Sequence, residues 1–355
     1  MPTVVIAAGG TAGHVVPALA VADALRARGV EVTFVGGERA ETELVPAAGY
    51  EFHALRIVGI DRRNPLRAAR ALALAARAGL RARRLLLSLG ADVVLGGGGY
   101  VAGPVGLAAW SLRLPLALTE ADSHLGVANR LLAPVARRVF LSFPVSGRSG
   151  GKYVVTGRPV PAGTGRPDRR AARERFGIAL DAKCLLVFGG SLGARRLNDA
   201  AVDAFGAAAP CAVLHACGRR DHDDIRRRLD ALGAPPHYRL CPYIEPFADA
   251  LAAADLVAAR AGGSVLELAA AGLPAILVPY PHATADHQTA NARYMERAGA
   301  AVVVPDAELD GRRLYREVAA LFADPERMAA MVKAARSVAR LEAADRIADE
   351  LLALA

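Results

Sequence analysis

Two glycine-rich segments, one in each half of the sequence, share the pattern G-G-[T/S]-x-G between an apolar run and a helix-like stretch. They are Gly9-Gly10-Thr11-Ala12-Gly13 and Gly189-Gly190-Ser191-Leu192-Gly193. Turns of this kind let backbone N–H groups approach a phosphate at the positive end of the following helix. A single copy is explained as well by a tight turn without a ligand, but two copies at matching positions favour two nucleotide-binding folds.

Other phosphate-binding motifs fit these turns less well. No lysine follows either turn, which excludes a G-x-x-x-x-G-K-[S/T] loop. An NAD-binding fold needs an acidic residue directly at the end of its second strand. Here the second apolar run ends at Val35 and is followed by Gly36-Gly37 before Glu38, so an NAD-binding fold remains only an alternative. A third loop, Gly96-Gly97-Gly98-Gly99-Tyr100, precedes Pro104 at a helix start, and we favour a backbone cradle for a second anion over a flexible hinge.

The segment 260–267 of the second half follows an apolar run and opens a helix. The N–H groups of Gly262, Gly263 and Ser264 would face a diphosphate at that position. The carboxylate of Glu267 can accept hydrogen bonds from two ribose hydroxyls, or it can simply complement the helix dipole. The spacing alone leaves both interpretations open.

His14 closes the first glycine turn, where it is a candidate general base because histidine titrates near neutrality; the alternative is a capping or packing residue. Asp286-His287-Gln288 begins a later helix and supplies an amide that binds sugar hydroxyls as donor and acceptor. The alternative there is an N-capping Asp286 with solvated neighbours. The metal-like Asp221-His222-Asp223 is followed by Arg226-Arg227-Arg228 and is interpreted as a solvated, self-paired helix start, so no metal or other cofactor is expected.

Alternating strands and helices must position these candidates. Helical spacing covers 15–28 and 66–87, and short apolar runs lie at 4–8, 32–35, 93–95, 116–119, 139–141, 185–188, 212–215, 256–258, 275–278 and 301–303. The predicted fold is therefore α/β, with two Rossmann-like, doubly wound domains facing a cleft. Dense Gly and Pro at 142–168 predict a linker between domains 1–160 and 161–336. The stretch 337–355 has an amphipathic helical pattern, and the sequence leaves open whether it returns to the first domain.

The 355 residues carry a formal net charge of +9, almost entirely from arginine. Eight arginines and no acidic residue lie at helical spacing in 62–91, which favours an anionic membrane surface over an ordinary surface helix. Aromatic residues are not interleaved with the basic ones, so nucleic-acid binding is not expected. The sequence shows neither a cleavable signal nor a run of about 18 apolar residues, which predicts a cytoplasmic location. The four cysteines lie in apolar runs and are expected to be buried thiols.

Taken in order along nearly the whole chain, these motifs resemble the MurG family of bacterial peripheral-membrane glycosyltransferases. The resemblance covers the first glycine turn with His14, then 98–104, 120–129, the second glycine turn, 260–274 and 288–291. It implies a GT-B fold on the inner face of the cell membrane. It also implies inverting transfer of GlcNAc from UDP-GlcNAc, a substrate rather than a cofactor, to undecaprenyl-diphospho-MurNAc-pentapeptide in peptidoglycan synthesis.

The resemblance also implies roles for individual residues. His14 would take the proton from the MurNAc 4-hydroxyl, the backbone of Ile244 would read uracil, Glu267 the ribose and Gln288 the GlcNAc hydroxyls. The acceptor side would include Gly99, Tyr100, Glu120 and Asn129. The donor would contact Thr11, Ala12, Gly13, Asp122, Arg158, Ser191, Ile244, Gly262, Gly263, Ser264, Val265, Leu266, Glu267 and Gln288.

Some positions depart from the family pattern. Asp122 stands where the family commonly has Asn, and Pro161 where a donor-binding Arg is frequent, so Arg158 is the hypothetical substitute. His287 and Leu192 each replace a frequent Gln. The nearest alternative is another GT-B enzyme that uses a UDP-sugar and a different lipid acceptor. A dehydrogenase and a non-catalytic basic module are the more distant ones.

Overall fold

The computed structural model describes residues 2–57, 65–164, 168–190 and 193–355, with the backbone alone for 65–73. Contacts divide the chain into two compact units, and each has its own parallel sheet. Unit 1 comprises Met1–Pro161 with Arg340–Ala355, and unit 2 comprises Ala162–Ala339. The predicted α/β class with two doubly wound domains is confirmed.

Unit 1 is built on a parallel sheet whose central strands are buried on both faces. Its strands are β1 (Thr3–Ala7), β2 (Glu31–Gly36), β3 (Glu51–Ala54), β4 (Val93–Gly96), β5 (Leu116–Glu120), β6 (Arg138–Leu141) and β7 (Tyr153–Val155). Their order is β3-β2-β1-β4-β5-β6-β7. Val4 pairs with Val32 on one side and Val93 on the other, and such apolar runs suit a sheet covered by helices on both faces.

The helices of unit 1 include one from the C-terminus of the chain. They are α1 (Ala12–Arg26), α2 (Glu41–Ala47), α3 (Pro65–Ser88), α4 (Ala102–Ser111), α5 (Val127–Leu132) and α14 (Ala343–Leu352). Helix α14 packs against α1 and buries Ile347 and Leu351 in the same core as Leu25. Arg28 adds ion pairs at 2.9 Å to both Asp345 and Asp349. The C-terminal segment is therefore part of the core of unit 1.

Unit 2 repeats the same architecture. Its strands are β8 (Cys184–Phe188), β9 (Ala212–Ala216), β10 (Tyr238–Cys241), β11 (Leu256–Ala259), β12 (Ala275–Leu277) and β13 (Ala301–Val303), in the parallel order β10-β9-β8-β11-β12-β13. Its helices are α6 (Arg169–Phe176), α7 (Arg195–Phe205), α8 (His222–Ala231), α9 (Phe247–Ala253), α10 (Val265–Ala271), α11 (His287–Arg297), α12 (Gly311–Phe322) and α13 (Pro325–Val338). The four cysteines are free, and all but Cys241 are buried.

The sequence prediction missed three strands and joined two helices. Strands β3, β7 and β10 lie at sheet edges, where pairing on one side leaves room for polar residues such as Glu51 and Arg239. Strand β7 lies inside the segment predicted as a linker, so that prediction is wrong for 153–155. The helix predicted over 337–355 starts only at Ala343 as α14, because α13 ends at Val338 and Ala339 has an extended ψ of 145°.

Candidate active site

The first glycine turn leaves β1 at its carboxyl end and leads into α1. Gly10 has a φ of +105°, a conformation that side chains other than glycine rarely adopt. A Cβ on Gly9 would lie 2.6 Å from Oε1 of Glu41, so no larger residue fits there. The N–H groups of Ala12 and Gly13 precede the first hydrogen bond of the helix, which the N–H of His14 donates to the carbonyl of Thr11. Thr11, Ala12 and Gly13, the predicted ligand contacts, lie at this position.

His14 lies in the first turn of α1 and is half-buried. Its Nδ1 is 3.4 Å from Oγ1 of Thr11. Burial is the largest influence on the pKa of His14 and lowers it. The charges of Asp122 and Glu41 raise this pKa and that of Arg158 lowers it, and the net result is a pKa below the ordinary value. A lowered pKa keeps the imidazole neutral near pH 7, which is the form a general base requires.

Arg158 is buried in unit 1 beside the first turn of α1. Its Nη2 donates a hydrogen bond of 2.9 Å to the carbonyl oxygen of Gly13. The guanidinium therefore lies among the same residues as His14, on which its positive charge acts. Its substitution for a donor-binding arginine at position 161 stays a prediction.

The glycine loop after β4 packs directly on the first turn. Gly98 and Gly99 have φ values of +94° and +76°. A Cβ on Gly99 would lie 2.1 Å from the carbonyl oxygen of Gly9, and one on Gly98 would lie 2.6 Å from Cδ2 of His14. Close packing on the backbone of Gly9 and on the ring of His14 thus requires these glycines, whereas the anion cradle stays a prediction.

Glu41 is a residue of this cluster that the sequence analysis did not single out. It begins α2 and is fully buried. Its Oε2 accepts the N–H of Gly10 at 2.9 Å, and its Oε1 accepts the N–H of Gly37 at 2.8 Å. Burial and the charge of Glu41 raise the pKa of Tyr100, a predicted acceptor-side residue. A glutamate at a helix start is so common that its sequence position gives no signal.

Glu120 and Asn129, predicted on the acceptor side, shape the loop after β5. Oε2 of Glu120 accepts the N–H of Gly126 at 2.8 Å and Nδ2 of Asn129 at 2.9 Å, and its Oε1 accepts the N–H of Asp122 at 3.3 Å. Burial raises the pKa of Glu120 although these donors oppose the shift. Both side chains are buried and hold the loop that carries Asp122, while their direct contact with an acceptor stays a prediction.

In unit 2, the second glycine turn connects β8 to α7, and Ser191 of this turn lies outside the described residues. Gly193 has a φ of +75°, and a Cβ there would lie 2.5 Å from the carbonyl oxygen of Cys217. That oxygen accepts Nδ2 of Asn198 at 2.9 Å. The turn is therefore packed against a polar group in the interior of unit 2.

A buried chain of hydrogen bonds continues from Asn198, and no local sequence pattern indicates it. His215 is fully buried; its Nε2 is 3.0 Å from Oδ1 of Asn198 and its Nδ1 is 2.8 Å from the hydroxyl of Tyr238. Nδ2 of Asn198 also donates to Oδ2 of Asp221 at 3.0 Å. Burial lowers the pKa of His215 to about 3. The ring is therefore neutral, and Tyr238 donates to Nδ1 while Nε2–H donates to Asn198.

The predicted diphosphate segment follows β11 and starts α10, with Ser264 as the N-cap residue. The N–H groups of Val265 and Leu266 donate at 3.2 Å to the carbonyls of Gly262 and Gly263, so these two predicted donors also close the turn. Glu267 lies in the first turn of the helix and is half-buried.

The predicted uracil-binding and ribose-binding residues lie near each other in unit 2. Burial raises the pKa of Tyr243, and the charges of Glu245 and Glu267 raise it further. Glu267 is thus close enough to act on the residue before Ile244. Ile244 itself is buried, and recognition of a base by its backbone stays a prediction.

Gln288 lies in the first turn of α11, where its Oε1 accepts the N–H of Tyr280 at 2.9 Å. The next turn of this helix is tied to the segment after β11, because Nδ2 of the buried Asn291 donates to the carbonyl of Ala261 at 3.1 Å. Asp286 is the N-cap residue of α11, as the alternative expects, but its Oδ1 accepts the hydroxyl of Thr289 at 2.7 Å and caps no backbone N–H. Within the described residues, no group of three or more His, Cys, Asp or Glu could hold a metal ion, and the absence of a cofactor stays a prediction.

Comparison with known proteins also divides the chain in two, except that the C-terminal match continues into the segment 340–350 that belongs to unit 1. The glycosyltransferase family 28 N-terminal domain matches residues 4–141, and the glycosyltransferase family 28 C-terminal domain matches residues 184–350. The chain is 45% identical over 363 residues to the UDP-N-acetylglucosamine--N-acetylmuramyl-(pentapeptide) pyrophosphoryl-undecaprenol N-acetylglucosamine transferase of Acidithiobacillus ferrooxidans, covering 98% of this chain and 96% of the relative.

Two further relatives extend the comparison. A transferase with the same name from Salinibacter ruber is 40% identical over 370 residues, covering 100% of this chain and 97% of the relative. The crystal structure of Acinetobacter baumannii MurG matches with a TM-score of 0.77 and 31% identity, covering 99% of both chains. The chain belongs to the MurG family of glycosyltransferases.

Proposed function

We propose that this protein transfers GlcNAc from UDP-GlcNAc to the MurNAc 4-hydroxyl of undecaprenyl-diphospho-MurNAc-pentapeptide, with inversion at the anomeric carbon. The observation that carries the proposal is 45% identity, over 98% of the chain, to a relative named for this transfer. The geometry of each unit supplies a matching part. Unit 1 has a candidate general base with a lowered pKa, and unit 2 has a helix start suited to a diphosphate.

In the proposed reaction, the neutral imidazole of His14 takes the proton of the acceptor hydroxyl as its oxygen attacks C1 of GlcNAc. The bond between C1 and the diphosphate oxygen breaks, and UDP leaves with the electron pair. Its negative charge would be stabilised by N–H groups of 262–264 and by the positive end of the α10 dipole. No step of this displacement requires a metal ion.

The remaining donor contacts are proposed within unit 2. Glu267 would accept hydrogen bonds from the ribose hydroxyls, and the backbone of Ile244 would recognise uracil. Their closeness supports this assignment, because a nucleoside presents its base and its ribose to neighbouring groups. Gln288 keeps an amide donor for a sugar hydroxyl, since only its Oε1 is used by Tyr280.

We further propose that unit 1 docks on the anionic inner face of the cell membrane, which gives access to the lipid-linked acceptor. Helices α3 and α4 pack together and expose large apolar side chains beside exposed arginines. Trp110, for example, is 56% exposed. An apolar patch rimmed by positive charge suits an interface with anionic lipid. The residues are Leu80, Leu87, Leu107, Trp110, Arg77, Arg81, Arg83 and Arg84.

No described helix is long and apolar enough to cross a membrane. The docking proposal is tested by co-sedimentation with vesicles that contain phosphatidylglycerol. Replacement of Arg77, Arg81 and Arg84 by Glu should reduce binding, and added salt should reduce binding of the unaltered protein. Binding that responds to neither change would contradict the proposal.

The transfer itself is tested by measuring release of UDP from UDP-GlcNAc with and without the lipid-linked MurNAc acceptor. We expect release to depend on that acceptor and to yield a GlcNAc-MurNAc product. Equal release without acceptor, or transfer to a diacylglycerol acceptor in its place, would contradict the proposal. The second result would favour the alternative enzyme with another lipid acceptor.

A further inference from the structure

Three glycine turns meet at the carboxyl edge of the sheet in unit 1, and one buried carboxylate lies where two of them join. The turns follow β1, β2 and β4. Glu41 is fully buried and accepts the N–H of Gly10 from the first turn and the N–H of Gly37 from the second. A carboxylate with one backbone donor on each oxygen fixes the distance between those two turns.

The fit around this carboxylate is tight. A Cβ on Gly36 would lie 2.8 Å from Cγ of Glu41, and a Cβ on Gly37 would lie 2.8 Å from its Oε1. On its other side, Gly9 is enclosed between Glu41 and Gly99. The absence of side chains at the turns therefore brings the backbone close enough for Glu41 to bond it.

The first turn leads directly into the helix that carries His14. The N–H of His14 donates to the carbonyl of Thr11 at 3.0 Å, which ties the backbone of His14 to the turn. Thr11 directly follows Gly10, whose N–H is held by Glu41. A displacement of the turn would therefore move the imidazole as well. A shift of about 1 Å in a catalytic group is enough to lower a rate by roughly 100-fold.

We propose that Glu41 is a positioning residue for the transfer reaction: it clamps the turns after β1 and β2 and thereby sets the position and the electrostatic surroundings of His14. This inference rests on the proposed function, in which His14 is the general base. Glu41 acts through the backbone and through its charge, and it does not touch the substrate.

The charge of Glu41 should affect the pH dependence of the rate, which a purely structural residue would leave unchanged. The charged groups that face His14 are Asp122 and Glu41, which raise its pKa, and Arg158, which lowers it. Removal of the negative charge at position 41 therefore lowers the pKa of His14. Since the base must be neutral to act, the acid limb of the kcat/KM profile should move to lower pH.

The experiment compares Glu41→Gln and Glu41→Asp with Glu43→Gln, an exposed glutamate two residues further along the same helix. In Glu41→Gln the new NH₂ group cannot accept one of the two backbone N–H groups, so we expect kcat to fall about 10- to 100-fold. Its acid limb should move to lower pH, while UDP affinity measured by calorimetry stays unchanged. Glu41→Asp keeps the charge but shortens the reach, so kcat should fall with little movement of the acid limb.

Two results would overturn the proposal. One is a kcat of Glu41→Gln equal to that of Glu43→Gln. The other is a fall in kcat with no movement of the acid limb, which would leave Glu41 a structural role alone. A wild-type protein that fails to transfer GlcNAc would instead contradict the proposed function, so the two failures can be distinguished.

A measurement on the unaltered protein covers the case in which Glu41→Gln does not fold. Amide hydrogen exchange should be slow at both Gly10 and Gly37, because each N–H is held by the carboxylate. Rapid exchange at either glycine in the folded protein would show that the clamp does not form, and would overturn the proposal.

Discussion

The two G-G-[T/S]-x-G turns share a sequence pattern, but different side chains lie behind them. In unit 1 the carboxylate of Glu41 binds the N–H of Gly10 and acts on His14. In unit 2 the acidic Asp221 near Gly193 has ion pairs with Arg220 at 3.0 Å and with Arg195 at 3.9 Å. The carboxylate in unit 1 is held by two backbone N–H groups, whereas the one in unit 2 is paired with arginines. Residues distant in sequence thus decide what a common turn does.

Two histidines show the same contrast. Burial lowers the pKa of both, but His215 is fully enclosed between Tyr238 and Asn198. His14 is half-buried and faces charges of both signs. A lowered pKa therefore identifies a candidate base only when the ring also reaches solvent or substrate.

The largest expected effect is on turnover. His14→Ala removes the proposed base, so kcat should fall about 100- to 10,000-fold while UDP affinity stays nearly unchanged. Steady-state assays and calorimetry measure the two quantities. His53→Ala, on the edge strand of the same sheet, is the matched control and should keep its rate. An unchanged kcat in His14→Ala would remove His14 as the base.

The corresponding change in unit 2 should affect affinity instead. Glu267→Ala loses the proposed bonds to the ribose, so the Kd for UDP should rise about 10- to 100-fold. Wild type should also bind 2′,3′-dideoxy-UDP weakly, whereas the variant should not distinguish it from UDP. Glu296→Ala, on the neighbouring helix α11, is the control. Equal UDP affinity in Glu267→Ala and wild type would refute the ribose role.

A smaller effect is expected on the stability of unit 2. Tyr238→Phe leaves Nδ1 of the buried His215 without its donor, which should lower the free energy of unfolding by about 1 kcal/mol. Denaturant titration followed by circular dichroism measures this change. Tyr315→Phe, at an exposed position of unit 2, is the control. A Tyr238→Phe protein as stable as the control would show that the hydrogen-bond chain contributes little.

The smallest effect is a shift in pH dependence. Asp122 raises the pKa of His14, so Asp122→Asn should lower the pKa of His14. The acid limb of the kcat/KM profile should then move to lower pH, since the imidazole stays neutral there. An acid limb that moves to higher pH would contradict the assigned electrostatics.

Much of the fold could be predicted from the sequence because the central strands are apolar and each is followed by a glycine turn or a helix. β1 and β8 are examples, since each is a buried apolar run before G-G-[T/S]-x-G. The strands that were missed lie at sheet edges, where Glu51 or Arg239 can face solvent and weaken the apolar pattern.

The candidate site was predictable only in part. His14 and the segment 262–267 are next to strand ends, so local patterns place them. Glu41 and Asn198 are brought to the glycine turns by pairing of strands and packing of helices. No local sequence pattern indicates these long-range contacts. Glu120, a predicted acceptor-side residue, also holds the loop after β5, and no local pattern indicates that role.

The most direct test of the central claim is a crystal structure of the protein with UDP. We expect the diphosphate within hydrogen-bonding distance of the N–H groups of 262–264, with the ribose at Glu267 and the uracil at the backbone of Ile244. A diphosphate bound at the turn of Gly9 and Gly10, with the start of α10 unoccupied, would contradict it.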